Sequence, residues 1–407
     1  MKRRLAGLAL GVGLILLGGV SRAAEEEKPL APGWLSLDCC IGPVDNAVAR
    51  GKGALEKALG ITIGGFFDVG YNWSSNRPNN PDYISLRYFD RDHNQVEFNN
   101  FHIFVEKPEK DWGVGFRVSG DFGRTGELLR EATFWSKNLH KESSAELREA
   151  FLTTTIPVGE GIGVKGGLFV TTLGTEIIPN PGAYNDNISR SFLFNLAIPF
   201  RHLGVSFSYP VLKILSANAG IVTGWDNPRD TNNSPSFLGG ITLTPTDKIT
   251  FASNVIAGEE PSAAGKDTAR WVISNVLTVK PIDPLALYLE YTYGHQRLGS
   301  LGGDRSAVWQ GVAGIASYNW TERFNTALRG EVFHDRDGAR IGGELVGGHA
   351  NVTVGELTLT GAYKFTKMLT GRAEVRQDWA NRDVFKRQTS GADQNQTTVA
   401  LQLLYQY

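Results

Sequence analysis

The sequence runs to 407 residues, with 41 basic against 42 acidic side chains and two cysteines. That balance excludes a nucleic-acid surface, and two cysteines in so long a chain exclude a disulfide scaffold. Length alone suggests two or three soluble domains, yet no shift of composition divides residues 60–407.

At the start, Lys2, Arg3 and Arg4 precede the apolar run LAGLALGVGLILLGGV, and Ser21-Arg22-Ala23 follows with small residues at its first and third places. Residues 1–23 have the three parts of a cleaved secretory signal peptide, with an apolar run too short for a membrane span. Losing Lys2, Arg3, Arg4 and Arg22 leaves 37 basic against 42 acidic residues, a mild net charge of −5. Residues 24–59 read as a periplasmic extension. Its Cys39-Cys40 pair has no CxxC, CxxCH or zinc spacing around it, which leaves a strained vicinal disulfide or two inert thiols. Val44, Val48, Leu55 and Leu59 recur at helical intervals, with Asp45 or Asn46 as a cap. Glycines 42, 51 and 53 weaken that pattern, so a linker with a short helix is expected.

From residue 60 one texture repeats: ten to thirteen alternating residues, then turn chemistry. ITIGGFFDVGYNW sets Ile61, Ile63, Phe67, Val69, Tyr71 and Trp73 against Thr62, Asp68 and Asn72. WGVGFRVSGDF, IGVKGGLFV, LALYLEYTY and MLTGRAEVRQDW alternate likewise, and TTVALQLLYQY closes the sequence with Leu404 as the one apolar residue in its polar row. Such segments are long for soluble strands and suit strands that face lipid on one side and water on the other. Aromatics fall near the strand ends, as two membrane–water interfaces would ask. Seven short connections (EKPEKDW, PVGEG, YPVLK, TPTDK, KPIDP, NWTER, FTKM) alternate with eight long ones. Counting every alternating segment gives seventeen strands, an odd number that single-chain bacterial barrels do not use. Assigning Phe192–Pro199 to a loop restores the alternation. The expected fold is therefore all-β, a transmembrane antiparallel barrel of sixteen strands over residues 60–407. The third long loop, Gly174–Pro199, carries Phe192, Leu193, Phe194, Leu196 and Ile198, which favours folding into the barrel over a packed external cap or two extra strands. The final strand is expected to close the ring on the first, leaving no edge in lipid.

No GxSxG elbow, HExxH or phosphate-binding glycine loop occurs, and the seven histidines lie on unrelated segments, so no enzyme and no cofactor are expected. Asp335 and Asp337 in HDRDGAR could hold calcium, but surface carboxylates of this kind more often hydrate or bridge lipopolysaccharide. The inward rows supply Arg117, Asp121, Lys165, Arg329, Glu331, Arg372, Glu374, Arg376 and Asp378, and the third loop adds Glu176, Asp186 and Arg190. These twelve residues are the candidate lining and constriction, either as a stiffening ion-pair network or as a transverse field between loop acids and wall arginines. Six charges of each sign give no preference between anions and cations.

The phrases LREAFL (Leu147–Leu152), GLFVTTLGTE (Gly167–Glu176), NDNISRSFLF (Asn185–Phe194), PFRHLGVSFSY (Pro199–Tyr209) and TGWDNPRDTNN (Thr223–Asn233) resemble the OmpL-like family of bacterial β-barrel porins. Thr223 stands where that phrase would carry Asn. The resemblance implies a gated or open outer-membrane channel for small hydrophilic solutes. Outer-membrane lipid and lipopolysaccharide would surround it, and a homotrimer is compatible with a barrel of this size. The competing expectation is a plugged structural barrel that docks another envelope or surface protein.

Overall fold

The computed structural model describes residues 36–407, apart from 79–82, 110–112, 133–143, 181–184, 231, 262–266, 298–305, 342–350 and 389–390. The signal peptide assigned to residues 1–23 lies outside the described residues.

Sixteen strands close an antiparallel barrel. In chain order they are β1 (Thr62–Ser74), β2 (Gln95–Lys107), β3 (Val114–Phe122), β4 (Ala145–Ile156), β5 (Ile162–Val170), β6 (Arg201–Leu212), β7 (Leu215–Val222), β8 (Ser236–Thr246), β9 (Ile249–Pro261), β10 (Asp267–Ile282), β11 (Leu285–Gln296), β12 (Ala307–Asn319), β13 (Phe324–Asp335), β14 (Val352–Lys364), β15 (Leu369–Ala380) and β18 (Asn395–Gln406). Each strand pairs with its chain neighbour, and β1 closes on β18 from Phe66↔Gln406 to Ser74↔Thr398. The two-residue strands β16 (Phe385–Lys386) and β17 (Ala392–Asp393) pair with each other in the loop before β18. Closure satisfies every strand edge, which is what a wall in hydrocarbon requires.

The period of two sorts the side chains. On β11, Leu289 is 51% exposed and its neighbour Glu290 only 4%. On β18, Leu401 and Leu403 point out to lipid while Leu404 is buried inside, so the apolar intruder of the polar row packs in the lumen. Besides three register shifts beside the short turns, two bulges break strict alternation within the strands. On β2 the register shifts at Asn99, and on β4 at Arg148. A bulged residue re-aims its neighbours. Consequently Arg148 and Glu149, adjacent in sequence, are both buried.

Helix α1 (Gly42–Leu59) is longer than the short helix expected. It starts with Pro43 in its first turn and ends on Gly60, whose φ of 66° suits the left-handed stop. Its N-cap is Ile41, without a side-chain cap bond, so neither Asp45 nor Asn46 caps it. Instead Asp45 accepts hydrogen bonds from the Thr366 hydroxyl and from Tyr405 Oη. Asp38 meets Arg323 at 2.6 Å, and Glu56 accepts the Ile63 N–H at 2.9 Å. These contacts seat α1 at the short-turn end of the barrel. Gly51 and Gly53 cost helix stability, but a tethered helix tolerates them. Cys39 and Cys40 are free thiols, exposed, with their sulfurs 3.2 Å apart.

Candidate functional site

β5 ends at Val170 and β6 begins at Arg201; the described residues between them bond the inward faces of β10 to β15. Phe192–Pro199 is not a strand: Leu193–Ala197 forms one π-helical turn, every residue of it buried. Outgoing, the Gly174 N–H reaches Ser274 Oγ on β10 at 3.1 Å, and the Thr175 N–H reaches Glu290 on β11 at 2.7 Å. At the far wall, Glu374 on β15 accepts the N–H groups of Ile188 and Ser189 at 2.6 and 3.0 Å. Glu331 on β13 accepts those of Phe192 and Leu193, both at 2.6 Å. Returning, Trp309 Nε1 on β12 donates to the Ala197 carbonyl at 3.1 Å. Each glutamate thus satisfies two consecutive backbone donors that would otherwise be stranded away from water.

Arginines hold the same segment from the other polarity. Arg329 donates to the Ser189 carbonyl at 2.7 Å, and meets Glu176 at 2.8 Å and Glu356 at 2.6 Å. Arg376 donates to the Arg190 carbonyl at 2.7 Å and meets Asp378 at 2.5 Å, with its guanidinium 4.7 Å from the Phe192 ring centre. Arg372 donates to the carbonyls of Asn185 and Asp186 and to Gln402. Asp378 also takes Arg87, which arrives from the first long loop.

Nine of the twelve candidate residues therefore meet at one place: Glu176, Asp186, Arg190, Arg329, Glu331, Arg372, Glu374, Arg376 and Asp378. Glu176 touches Arg329 directly, so that pair is an ion pair and not two poles facing each other across a gap. Arg117 and Asp121 belong to a second network on the near wall. Arg117 bridges Glu106 and Glu149 and reaches Asn180, while Asp121 takes Arg148, His102 and Asn100. Lys165 stands apart, its ammonium 5.1 Å from the Phe151 ring centre and 5.4 Å from that of Phe169.

Several participants were not singled out from sequence. Glu356 shares a polar row with Thr358 and Thr360 and was legible by alternation. Arg148 and Glu149 were hidden by the bulge, and Arg87 by its place in a loop. Asp335 and Asp337 hold no arrangement for calcium: Asp335 accepts the N–H groups of Ala339, Arg340 and Ile341, and Asp337 that of Val308. Among the described residues no cluster of ligating side chains could hold a metal ion.

Above the charged contacts lies an apolar core. Phe192–Phe194 and Leu196–Ile198 pack with Leu86, Phe89, Leu129, Trp309, Phe333 and Phe385, from three long loops and the wall. At the outer end of β5 the wall is completed by a side chain. Arg201 donates to the carbonyls of Leu147 and Leu129 and pairs with Glu146. Arg201, Glu146 and Asp226 line a cavity of about 350 Å³ together with Phe122, Leu147 and Leu203. In the following loop, Asp226 accepts the N–H groups of Phe200 and Arg201 at 2.6 and 2.9 Å. Burial pushes its carboxyl up to about 6 despite those bonds.

The family model described as "Putative beta-barrel porin-2, OmpL-like" matches residues 60–407. No curated protein matches the sequence. Among solved structures, the chain is similar to the outer membrane channel DcaP of Acinetobacter baumannii, at TM-score 0.58 and 14% identity over 85% of this chain and 97% of that one. It is similar also to an anion-selective porin from Comamonas acidovorans (0.58, 11%, 85% and 99%) and to OmpT, an outer membrane protein of Vibrio cholerae (0.53, 9%, 85% and 97%). At such identities the likeness is one of fold.

Proposed function

The chain belongs to the OmpL-like β-barrel porin family, and from that premise we propose that the third long loop, Gly174–Pro199, sets the size limit of its passive channel for small hydrophilic solutes. The carrying observation is the seating of four backbone N–H groups on Glu374 and Glu331. A segment gripped in this way keeps a constant cross-section as solutes pass. In this reading the nine charged residues at the far wall line and brace the constriction, the network of Arg117 and Asp121 braces the near wall, and no covalent chemistry or cofactor takes part. Residues 1–23 are removed on export, and α1 sits on the periplasmic side, because it lies with the short turns. Lipid and lipopolysaccharide surround the barrel, which is compatible with a homotrimer.

One observation favours a second reading. The apolar core above the charged contacts is continuous with three loops, as in a plugged barrel that serves as a structural or docking element. Solute entry separates the two. Proteoliposomes carrying the folded chain are expected to swell in pentoses and more slowly in larger sugars. No swelling in any sugar would remove the channel reading and leave the plugged barrel.

A further inference from the structure

Most inward arginines are consumed. Arg87, Arg117, Arg148, Arg201, Arg329 and Arg376 each meet a carboxylate. Two guanidiniums at the outer end of the lumen do not. Arg270, near the outer end of β10, donates to the Pro261 carbonyl at 3.0 Å, and its buried Nε has no partner. Arg340, in the loop after β13, donates Nε to the Leu196 carbonyl. Among the described residues neither forms an ion pair. Both lie against one ring: Arg270 is 5.3 Å and Arg340 5.0 Å from the centre of Trp225, and Arg340 is 5.5 Å from that of Trp309.

The ring is fixed. The Trp225 backbone N–H donates to Glu260 at 2.7 Å, and the Trp309 ring meets the Trp225 ring edge-on at 6.3 Å while its indole N–H bonds the Ala197 carbonyl. The neighbouring carboxylates Glu260, Asp226 and Asp335 attract the two guanidiniums from a distance, but their oxygens are bonded elsewhere. Glu260 takes the Trp225 N–H, Asn227 and Ser236. Asp226 takes two backbone donors, and Asp335 three. Two like charges sharing one ring in a partly dry vestibule repel each other, and the ring face offsets part of that cost. An oxyanion between them would offset the rest, because guanidinium forks match carboxylate and phosphate oxygens.

We propose that Arg270, Arg340 and Trp225 form a binding site for the oxyanion group, carboxylate or phosphate, of a small solute. The site rests on the π-helical turn, since Arg340 bonds Leu196 and Trp309 bonds Ala197. It therefore stands at the outer entrance to the segment that crosses the lumen. Its role in selecting solutes rests on the channel reading; its occupancy by an anion does not.

The test is read at equilibrium on the full folded chain in detergent, so a chain that conducts nothing can still pass it. The ³¹P line width of inorganic phosphate is followed against protein concentration at fixed chloride. Broadening beyond that of detergent alone is expected, with acetate displacing it in a parallel titration. Arg270→Gln, which leaves the bond to Leu196 in place, is expected to weaken binding about ten-fold, and Arg340→Gln similarly. Arg270→Lys should retain part of it, and resistance to SDS at room temperature verifies the fold of each variant. No broadening with the wild-type chain, or broadening in both glutamine variants as large as in the wild-type chain, would overturn the site. Phosphate binding that acetate fails to displace would restrict the class to phosphate-bearing solutes and overturn the carboxylate half.

Discussion

Two sectors of this barrel wall follow the same alternation and carry different inward rows. On β6 to β8 the row is neutral: His202, Gly204, Ser206 and Ser208, then Ser216, Asn218, Gly220 and Val222, then Ser236, Leu238, Gly240 and Thr242. On β13 to β15 it is charged: Arg329 and Glu331, Glu356, then Arg372, Glu374, Arg376 and Asp378. The hydrogen bonds that tie residues 187–193 to the wall all go to the charged sector. A lumen charge here acts as a tether wherever a backbone group reaches it. The neutral row offers those residues no such tether, and its Val222 and Leu238 join the apolar core instead.

The largest effect expected from this contrast is on stability. Arg329 is fully buried and compensates Glu176 and Glu356 together. Arg329→Ala leaves Glu176 without its cation and Glu356 with Arg376 alone, 3.6 Å away, and should cost about 3–5 kcal/mol. Ser208→Ala, on the neutral row, should stay within about 0.5 kcal/mol. Urea unfolding of both variants in detergent checks the difference, and equal losses would erase the distinction between the sectors.

A smaller effect sharpens it from outside the membrane span. The Asp226 carboxyl is raised by burial to about 6, against an unfolded value of about 4. A raised acid favours the folded state while it stays protonated. Its contribution is present below about pH 4 and is lost as pH rises to about 6. Asp226→Asn keeps an acceptor for the two N–H groups and cannot ionise. Its unfolding midpoint should therefore lack the fall between pH 4 and 6 that the wild-type chain shows; identical pH profiles would contradict this.

Much of this was legible in the sequence. Alternation and parity gave the strand number and placed Phe192–Pro199 in a loop, because both follow from the pleat. The inward rows of β13 and β15 were legible for the same reason. What the crossing segment bonds to was not. Alternation says that Glu331 and Glu374 point inward, but it cannot say that the backbone of Phe192 and Ile188 will reach them, since those contacts join residues more than a hundred apart. The pairing of Glu176 with Arg329 was invisible for that reason, and so was the sharing of Trp225 by two arginines. The bulges at Asn99 and Arg148 defeat a strict period of two. The length of α1 was missed because its support comes from Asp38 and Asp45 meeting Arg323, Thr366 and Tyr405, at the opposite end of the chain.

The central claim is that the crossing segment, held on the charged sector, limits a water-filled path. Single-channel conductance in a planar bilayer tests it most directly, with the wild-type chain beside a variant lacking Ile188–Ile198. The account predicts steady open steps for the wild-type chain and larger ones for the variant. Steps of equal size would show that the segment is not the constriction, and silence from the wild-type chain with steps from the variant would make it a plug.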